Sequence, residues 1–447
     1  MSGKLPIASI AKKLMLALTV VLVPLALSLA HDYVPGETQK IPVLLKGGDI
    51  YTVSGPVMPK TDLLFENSRI TAIGIDIEAP DGAEIIDASG MHVYPGLIAA
   101  YTSLGLTEIG AVRATNDGSE IGSVTPEVST DIAYNPDSEL LPSVRANGIT
   151  TIQVVPGGAL VRGQSNIMNI DGWTREDATL RHHDGMHLTW PRVRVITAWW
   201  MDDSAEEQKT KMAKQRKRLT KVFDDARAYM IAKEADPGIE TDLKWEAMIP
   251  VFKKEMPLFI HANDLRQIEQ AIYFAEKQGI RMILVGGLEA WKTIDLIKDK
   301  NIPLIIGPTQ DLPMRRRDGY DTPNRLPYIM QEAGVTYCIS RGARRSSPAS
   351  WNVRNLPFQA GSAVAYGLTK EQAIRSITLS VAEILGIDDD FGSLEVGKKA
   401  TIIISAGDIM DHLTHNVTHM WIEGRSVDLD NRHKELFRKY EQKPITK

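Results

Sequence analysis

The side chain best placed to act as an acid or base is His261, in Ile260-His261-Ala262-Asn263, where it closes an apolar run that starts at Pro257. Imidazole titrates near neutrality, and at the end of a buried strand it either meets a ligand or completes a hydrogen-bonded core; both readings stand on sequence alone. Arginines gather after two later apolar runs: Arg315, Arg316 and Arg317 beyond Ile306-Gly307-Pro308, and Arg341, Arg344 and Arg345 beyond Ile339-Ser340. Guanidinium forks there suit a carboxylate or a phosphate. Pairing with Asp311, Asp318 and Asp321 on solvated loops would need no ligand.

Other patterns carry weaker signals. Pro156-Gly157-Gly158-Ala159-Leu160-Val161-Arg162-Gly163-Gln164-Ser165 has the spacing of a phosphate loop with Gln164 where the lysine belongs, so it is read as a tight loop between a strand and a helix. His182, His183 and His187 offer an i, i+4 pair interrupted by Gly185, and His412, His415 and His419 end in a strand-like stretch; neither set has convincing metal-ligand geometry. Polar segments around residues 113–117 and 135–139 either cap a pocket or supply turns.

The elements that must position these groups show two textures. Short alternating runs punctuated by glycine, proline and asparagine fill residues 43–87 and recur at 397–425, which predicts a small β domain built from both ends of the chain. Between them, continuous apolar runs such as Ile149-Thr150-Thr151-Ile152, Leu258-Phe259-Ile260, Met282-Ile283-Leu284-Val285, Leu304-Ile305-Ile306 and Tyr337-Cys338-Ile339 alternate with helical stretches at residues 265–278 and 288–300. Buried parallel strands read in this way, and no Gly-x-Gly-x-x-Gly marks a dinucleotide turn. The expected fold class is α/β: a TIM-type (β/α)8 barrel, with its functional mouth at the carboxyl ends of the strands, plus a small β-sandwich domain.

Composition excludes several classes. The 447 residues are 43% hydrophobic and 24% charged, as in ordinary globular chains. A net charge of -5 supplies no field for nucleic acid. Seven basic residues in 209–221 are flanked by acids and suit a solvated helix. Cys338 is the lone cysteine, so no intramolecular disulfide can form. Lys4, Lys12 and Lys13 precede an apolar run that ends in Ser28-Leu29-Ala30, the pattern of a secretory signal. The mature chain is expected to be exported to the periplasm, or else held by an uncleaved amino-terminal anchor.

Pro95-Gly96-Leu97-Ile98-Ala99-Ala100-Tyr101-Thr102-Ser103, preceded by Asp87-Ala88-Ser89-Gly90, resembles the first barrel strand of the amidohydrolase superfamily, in particular its imidazolonepropionase-like exported members. The likeness continues in Ile260-His261-Ala262-Asn263 and Asn355-Leu356-Pro357-Phe358-Gln359-Ala360, and closes with Gly392-Ser393-Leu394-Glu395-Val396-Gly397-Lys398-Lys399-Ala400. It implies a hydrolase of carbon–nitrogen bonds other than ordinary peptide bonds, and a metal held by two histidines of the first strand, a lysine of the fourth, histidines of the fifth and sixth, and an aspartate after the eighth. Here Tyr101 and Ser103 stand at the first pair, Gly286 or Gly287 at the sixth-strand position and Arg341 or Gly342 at the aspartate. Of that set only His261 remains.

The resemblance therefore implies a degenerate metal site with His261 as acid or base and Tyr101, Ser103, Asn263, Glu289 and Arg341 as substrate contacts. No cofactor is expected, with zinc as the alternative. The partner is a small molecule, neutral or anionic, with no nucleic acid. The assembly is a homo-oligomer or a hetero-oligomer with an intact amidohydrolase. Expected bounds are 1–30 for the signal, 31–94 and 392–447 for the sandwich and 95–391 for the barrel. A pseudo-enzyme that binds an anion is the competing reading.

Overall fold

The computed structural model describes residues 34–342 and 350–444. The expected signal at residues 1–30, together with Arg344 and Arg345, lies outside them. The chain divides into an amino-terminal unit ending at Pro35 and the unit from Gly36 onward, which carries every element below.

Alternating burial builds the first sheet. Strands β1 (Val43–Ile50), β2 (Met58–Glu66), β3 (Arg69–Gly74), β4 (Glu84–Asp87) and β5 (His92–Pro95) come from the front of the chain, and β14 (Ile402–Ser405), β15 (Val417–Ile422) and β16 (Arg425–Ser426) from the back. The β2–β3 turn places Asn67 and Ser68 at φ 51° and 65°, the left-handed pair that a two-residue hairpin demands. The strand order is β16-β15-β14-β5-β1-β2-β3, with β4 on β1, and Ile402 of β14 faces Pro95 of β5 across the seam between the two ends. Phe65 packs edge-on against Trp421, so the core of this sheet also draws on both ends.

The second sheet runs in chain order through β6 (Leu97–Thr102), β7 (Ile149–Val154), β8 (Val161–Asn169), β9 (Thr179–Thr189), β10 (Leu258–Ala262), β11 (Met282–Gly286), β12 (Leu304–Ile306) and β13 (Tyr337–Ile339). It curls until its outer strands nearly meet. Ile98 N donates to Ile377 O at 2.9 Å, Ile339 N to Ser376 O at 3.0 Å and Ser340 Oγ to Ala100 O at 2.7 Å, bridging β6 and β13. Side chains alternate across the strands as the pleat requires: Leu258, Ile260 and Ala262 pack outward, while Phe259 and His261 point into the barrel. The barrel expected from sequence is therefore present.

One strand departs from it. β8 runs antiparallel to both β7 and β9, so residues 156–165 are no strand-to-helix loop. The glycines make a hairpin turn, and the chain re-enters the barrel wall at Val161. The insertion after β6 clamps onto this strand, with bridges from Val124 to Val161 and from Ser129 to Gln164. A Cβ at Gly163, whose φ is 120°, would come within 2.5 Å of Val128 O, so only glycine admits that contact.

The helices follow their local signals. Ala205–Ala235 starts at a Ser204/Glu207 capping box and contains the basic run; Leu265–Gln278 starts at an Asp264/Gln267 box and stops at Gly279 in the left-handed region. The stretch expected as one helix over 288–300 is instead a 3-10 turn, Ala290–Lys292, followed by Ile294–Asp299. The break falls at Thr293, whose φ of -140° and ψ of 34° leave the helical region. Among the described residues no helix is long and apolar enough to cross a membrane.

Candidate functional site

Five strands, β6 to β10, aim polar side chains at the barrel axis. Tyr101 lies at a register irregularity of β6 with φ 57°, a left-handed bulge that turns its ring inward. Non-glycine residues held there cost about 1–3 kcal/mol, and such strain collects at functional sites. Gln153 Oε1 accepts from Tyr101 N at 3.2 Å and steadies the bulge. On β9, the register slip opposite Ser165–Ile167 and the φ of 50° at His183 form a second bulge, beyond which Asp184 and His187 are buried. Gly185 is forced, because a Cβ there would lie 2.0 Å from the Phe259 ring that stacks on His187 at 4.7 Å and 5°.

The polar groups form a column along the axis. At its base Gln153 Nε2 donates to Asp184 Oδ2 at 2.7 Å and to Ser165 Oγ at 3.3 Å, and Ser165 Oγ donates to Gly185 O. Burial lifts the Asp184 carboxyl to about 6, against the lowering effect of the Gln153 amide that donates to it. Above it His187 Nε2 meets Ser165 Oγ at 2.8 Å, and His187 Nδ1 meets His261 Nε2 at 3.0 Å.

With the Ser165 hydroxyl proton on Gly185 O, Ser165 Oγ accepts from His187 Nε2–H and His187 Nδ1 accepts from His261 Nε2–H, the tautomers assigned to the pair from this network. His261 thus presents the lone pair of its Nδ1, which has no protein partner among the described residues. Burial first, and then the charge of Arg162, hold both imidazoles well below the ordinary histidine pKa, so both are neutral at pH 7.

Arg162 tops the column from the antiparallel strand β8. Its Nε donates to Thr189 Oγ1 at 2.6 Å and its Nη1 to Tyr101 Oη at 2.9 Å, while the Tyr101 and His261 rings lie 4.7 Å apart. A base and a fixed cation therefore share one end of the barrel.

The other residues expected at the site divide. Ser103 is buried just beyond β6, and Arg341 is half-buried two residues beyond β13. Asn263 follows β10 and fills the space over Gly286; a Cβ on Gly286, at φ 99°, would stand 2.4 Å from Asn263 Oδ1. Glu289 belongs to an ion cluster. Arg315 Nε reaches its Oε1 at 2.9 Å, Lys292 Nζ reaches the same oxygen at 2.6 Å, and Leu265 N donates to Oε2 at 2.9 Å. Arg315 also pairs with Asp264, which Arg194 contacts as well, and Lys292 with Asp318 at 3.2 Å. Burial raises the Glu289 carboxyl, but these hydrogen bonds outweigh it and hold the group at about 2. Arg315 is therefore spent on the protein's own carboxylates.

His182 and His183 are exposed, His182 beside Asp131 at 3.1 Å; His412 stacks on Phe358 outside the barrel, and His415 Nδ1 donates to Ile409 O at 2.8 Å. Sequence reasoning missed Arg162, Ser165, Asp184 and the inward His187. The usable signal was the alternation Gly185, Met186, His187, Leu188, Thr189, which is strand-like and sets His187 and Thr189 on one face. Among the described residues no group of three or more His, Cys, Asp or Glu lies close enough to hold a metal ion.

A family model for the amidohydrolase family matches residues 175–427, more than half of the chain. The chain belongs to the amidohydrolase family. The solved structure of an amidohydrolase from Thermotoga maritima MSB8 matches this one with TM-score 0.75 and 25% identity, over 86% of this chain and 99% of its own. The 5'-deoxyadenosine deaminase of Methanobrevibacter smithii is 22% identical over 77% of this chain and 79% of its own length. Amidohydrolase tasK of Hapsidospora irregularis is 19% identical over 81% of this chain, which spans only 39% of that protein's length. Among amidohydrolases, then, this one carries a histidine pair topped by a guanidinium at the mouth of its barrel.

Proposed function

We propose that this amidohydrolase hydrolyses a carbon–nitrogen bond, other than an ordinary peptide bond, in a small substrate, and does so without a tightly held divalent metal. The carrying observation is the pairing of the His261 Nδ1 lone pair with the Arg162 cation at the carboxyl end of the barrel. A neutral imidazole can take a proton from an attacking water, and a guanidinium can stabilise the oxyanion that forms on the amide carbonyl. The His187–Ser165 chain supports this by fixing which nitrogen of His261 faces the mouth.

The residues do not fit a bound dication. His187 Nδ1 and His261 Nε2 are the imidazole nitrogens brought together there, and among the described residues no third His, Cys, Asp or Glu joins them to make the three or four ligands a tightly held dication takes. Arg162 would repel the ion, and Tyr101, Ser103 and Gly286 supply no histidine.

We place the protein among exported, imidazolonepropionase-like members on the strength of the amino-terminal lysines and apolar run, with the periplasm as its compartment. Assembly with itself or with an intact homologue completes the reading. A second reading, a catalytically silent binder of an anionic small molecule, is favoured by the depressed basicity of His261.

Metal analysis of the purified protein, run with a screen of cyclic and linear amides, separates these readings. Turnover without stoichiometric metal that falls at least 100-fold in His261→Ala supports the hydrolase. Stoichiometric zinc lost in that variant overturns the metal-free reading, and absence of turnover on every amide leaves the binder.

A further inference from the structure

Arg162 is a buried cation with no anionic partner among the described residues. Of the five guanidinium N–H groups, one goes to Thr189 Oγ1 and one to Tyr101 Oη, so three remain, and among the described residues no carboxylate pairs with it. Only 6% of its surface is exposed. A charge withdrawn from water without a counter-ion is strongly unfavourable, and proteins leave one so where an anion is to arrive. The neighbouring cations cannot stand in for it, because Arg315 and Lys292 are bound to Glu289, Asp264 and Asp318.

We propose that Arg162 anchors the carboxylate of a small monoanionic ligand, while His261 Nδ1 accepts an N–H from the same molecule. One guanidinium offers a single charge and a flat fork, which matches a planar carboxylate through two parallel N–H contacts. A tetrahedral dianion would call for a second cation. The lone pair of His261 repels a bare oxyanion but accepts from a donor, so the ligand carries an amide N–H near its carboxylate. Tyr101 Oη and Thr189 Oγ1 hold the guanidinium in plane beforehand, which lowers the ordering cost of binding. This assignment rests on the reading of the barrel mouth as the substrate site.

Calorimetric titration of the full chain at pH 7 with N-acetylglycine, the neutral N-acetylglycinamide and inorganic phosphate tests it. The acid is expected to bind at least tenfold tighter than the amide. Arg162→Gln should bring the two within twofold, and Arg162→Lys, which keeps the charge and loses the fork, should retain an intermediate preference. The proposal is overturned by absence of saturable binding of the acid, by an acid preference that persists in Arg162→Gln, or by phosphate displacing N-acetylglycine at equal concentration.

If Arg162→Gln gives no cooperative melt, the wild-type and Arg162→Lys comparisons decide. Glycine release assayed on the same samples separates this proposal from the hydrolase reading. Binding of the acid with no amide turned over removes the hydrolase and leaves the site. Turnover of neutral amides with no acid preference removes the site and leaves the hydrolase.

Discussion

A buried arginine, Arg162, and a half-buried one, Arg315, lie at the same end of the barrel in opposite electrostatic states. Arg315 sits among Glu289 and Asp264, with Lys292 and Arg194 completing an alternating network. Among the described residues the Arg162 guanidinium donates to two hydroxyls, Thr189 and Tyr101, and it lies beside two neutral imidazoles. The fully buried pair of Arg145 and Asp171, 2.8 Å apart, shows how this fold treats a charge meant only for structure. Position near a barrel mouth therefore does not make an arginine a ligand contact. What distinguishes the two is whether the protein has already supplied the anion.

The largest effect should come from removing the paired arginine. Arg315→Ala takes one cation from two buried carboxylates that keep Lys292 and Arg194, and is expected to cost about 2–3 kcal/mol in urea unfolding at pH 7. Arg162→Met loses two hydrogen bonds but relieves an uncompensated charge, so it should fall within about 1 kcal/mol of wild type. Equal losses in the two variants would erase the contrast.

The two regions also respond to pH with opposite sign. The Asp184 carboxyl, raised to about 6, contributes stability that is fully present below its unfolded value near 3.8 and is lost as pH rises through 6, about 3 kcal/mol in all. Asp184→Asn should therefore gain on wild type between pH 4 and pH 6, and a flat difference would show that the carboxyl is not buried as described. Glu289 does the reverse. Its contribution is present above its unfolded value near 4.5 and is lost as pH falls through about 2, so acid unfolding of Glu289→Gln should show a shallower slope there.

Smaller changes probe what fills each position. Gly286→Ala is expected to cost roughly 2 kcal/mol from its φ and its approach to Asn263, and adding Asn263→Ala should recover part of that in a double-mutant cycle. Tyr101→Phe should cost only about 1 kcal/mol, the worth of one hydrogen bond to Arg162, as read from thermal melts.

Much of the fold was legible in the sequence because burial imposes a period. The apolar runs ending at Ala262, Gly286, Ile306 and Ile339 are strands, and the β texture of both ends joins in one sheet. The reversed strand was hidden because Pro156-Gly157-Gly158 signals a turn without saying in which direction the chain leaves it. His261 could be found from its run. Arg162 could not, since its significance lies in what is absent around it, and a missing counter-ion is a property of packing across β6, β8 and β9. His187 was obscured for a related reason: its spacing from His183 matches a helix, whereas a bulge at His183 breaks the strand count.

The seam between β5 and β14 has a consequence for how the protein is made. Pro95 cannot find Ile402 until 307 further residues have been synthesised, a wait of roughly 15–60 s at 5–20 residues per second. During translation the front five strands must remain an unfinished sheet while the whole barrel emerges behind them. The first sheet cannot close until the strand at Ile402 has been made, so its free edge at β5 waits on the slowest of its partners to arrive.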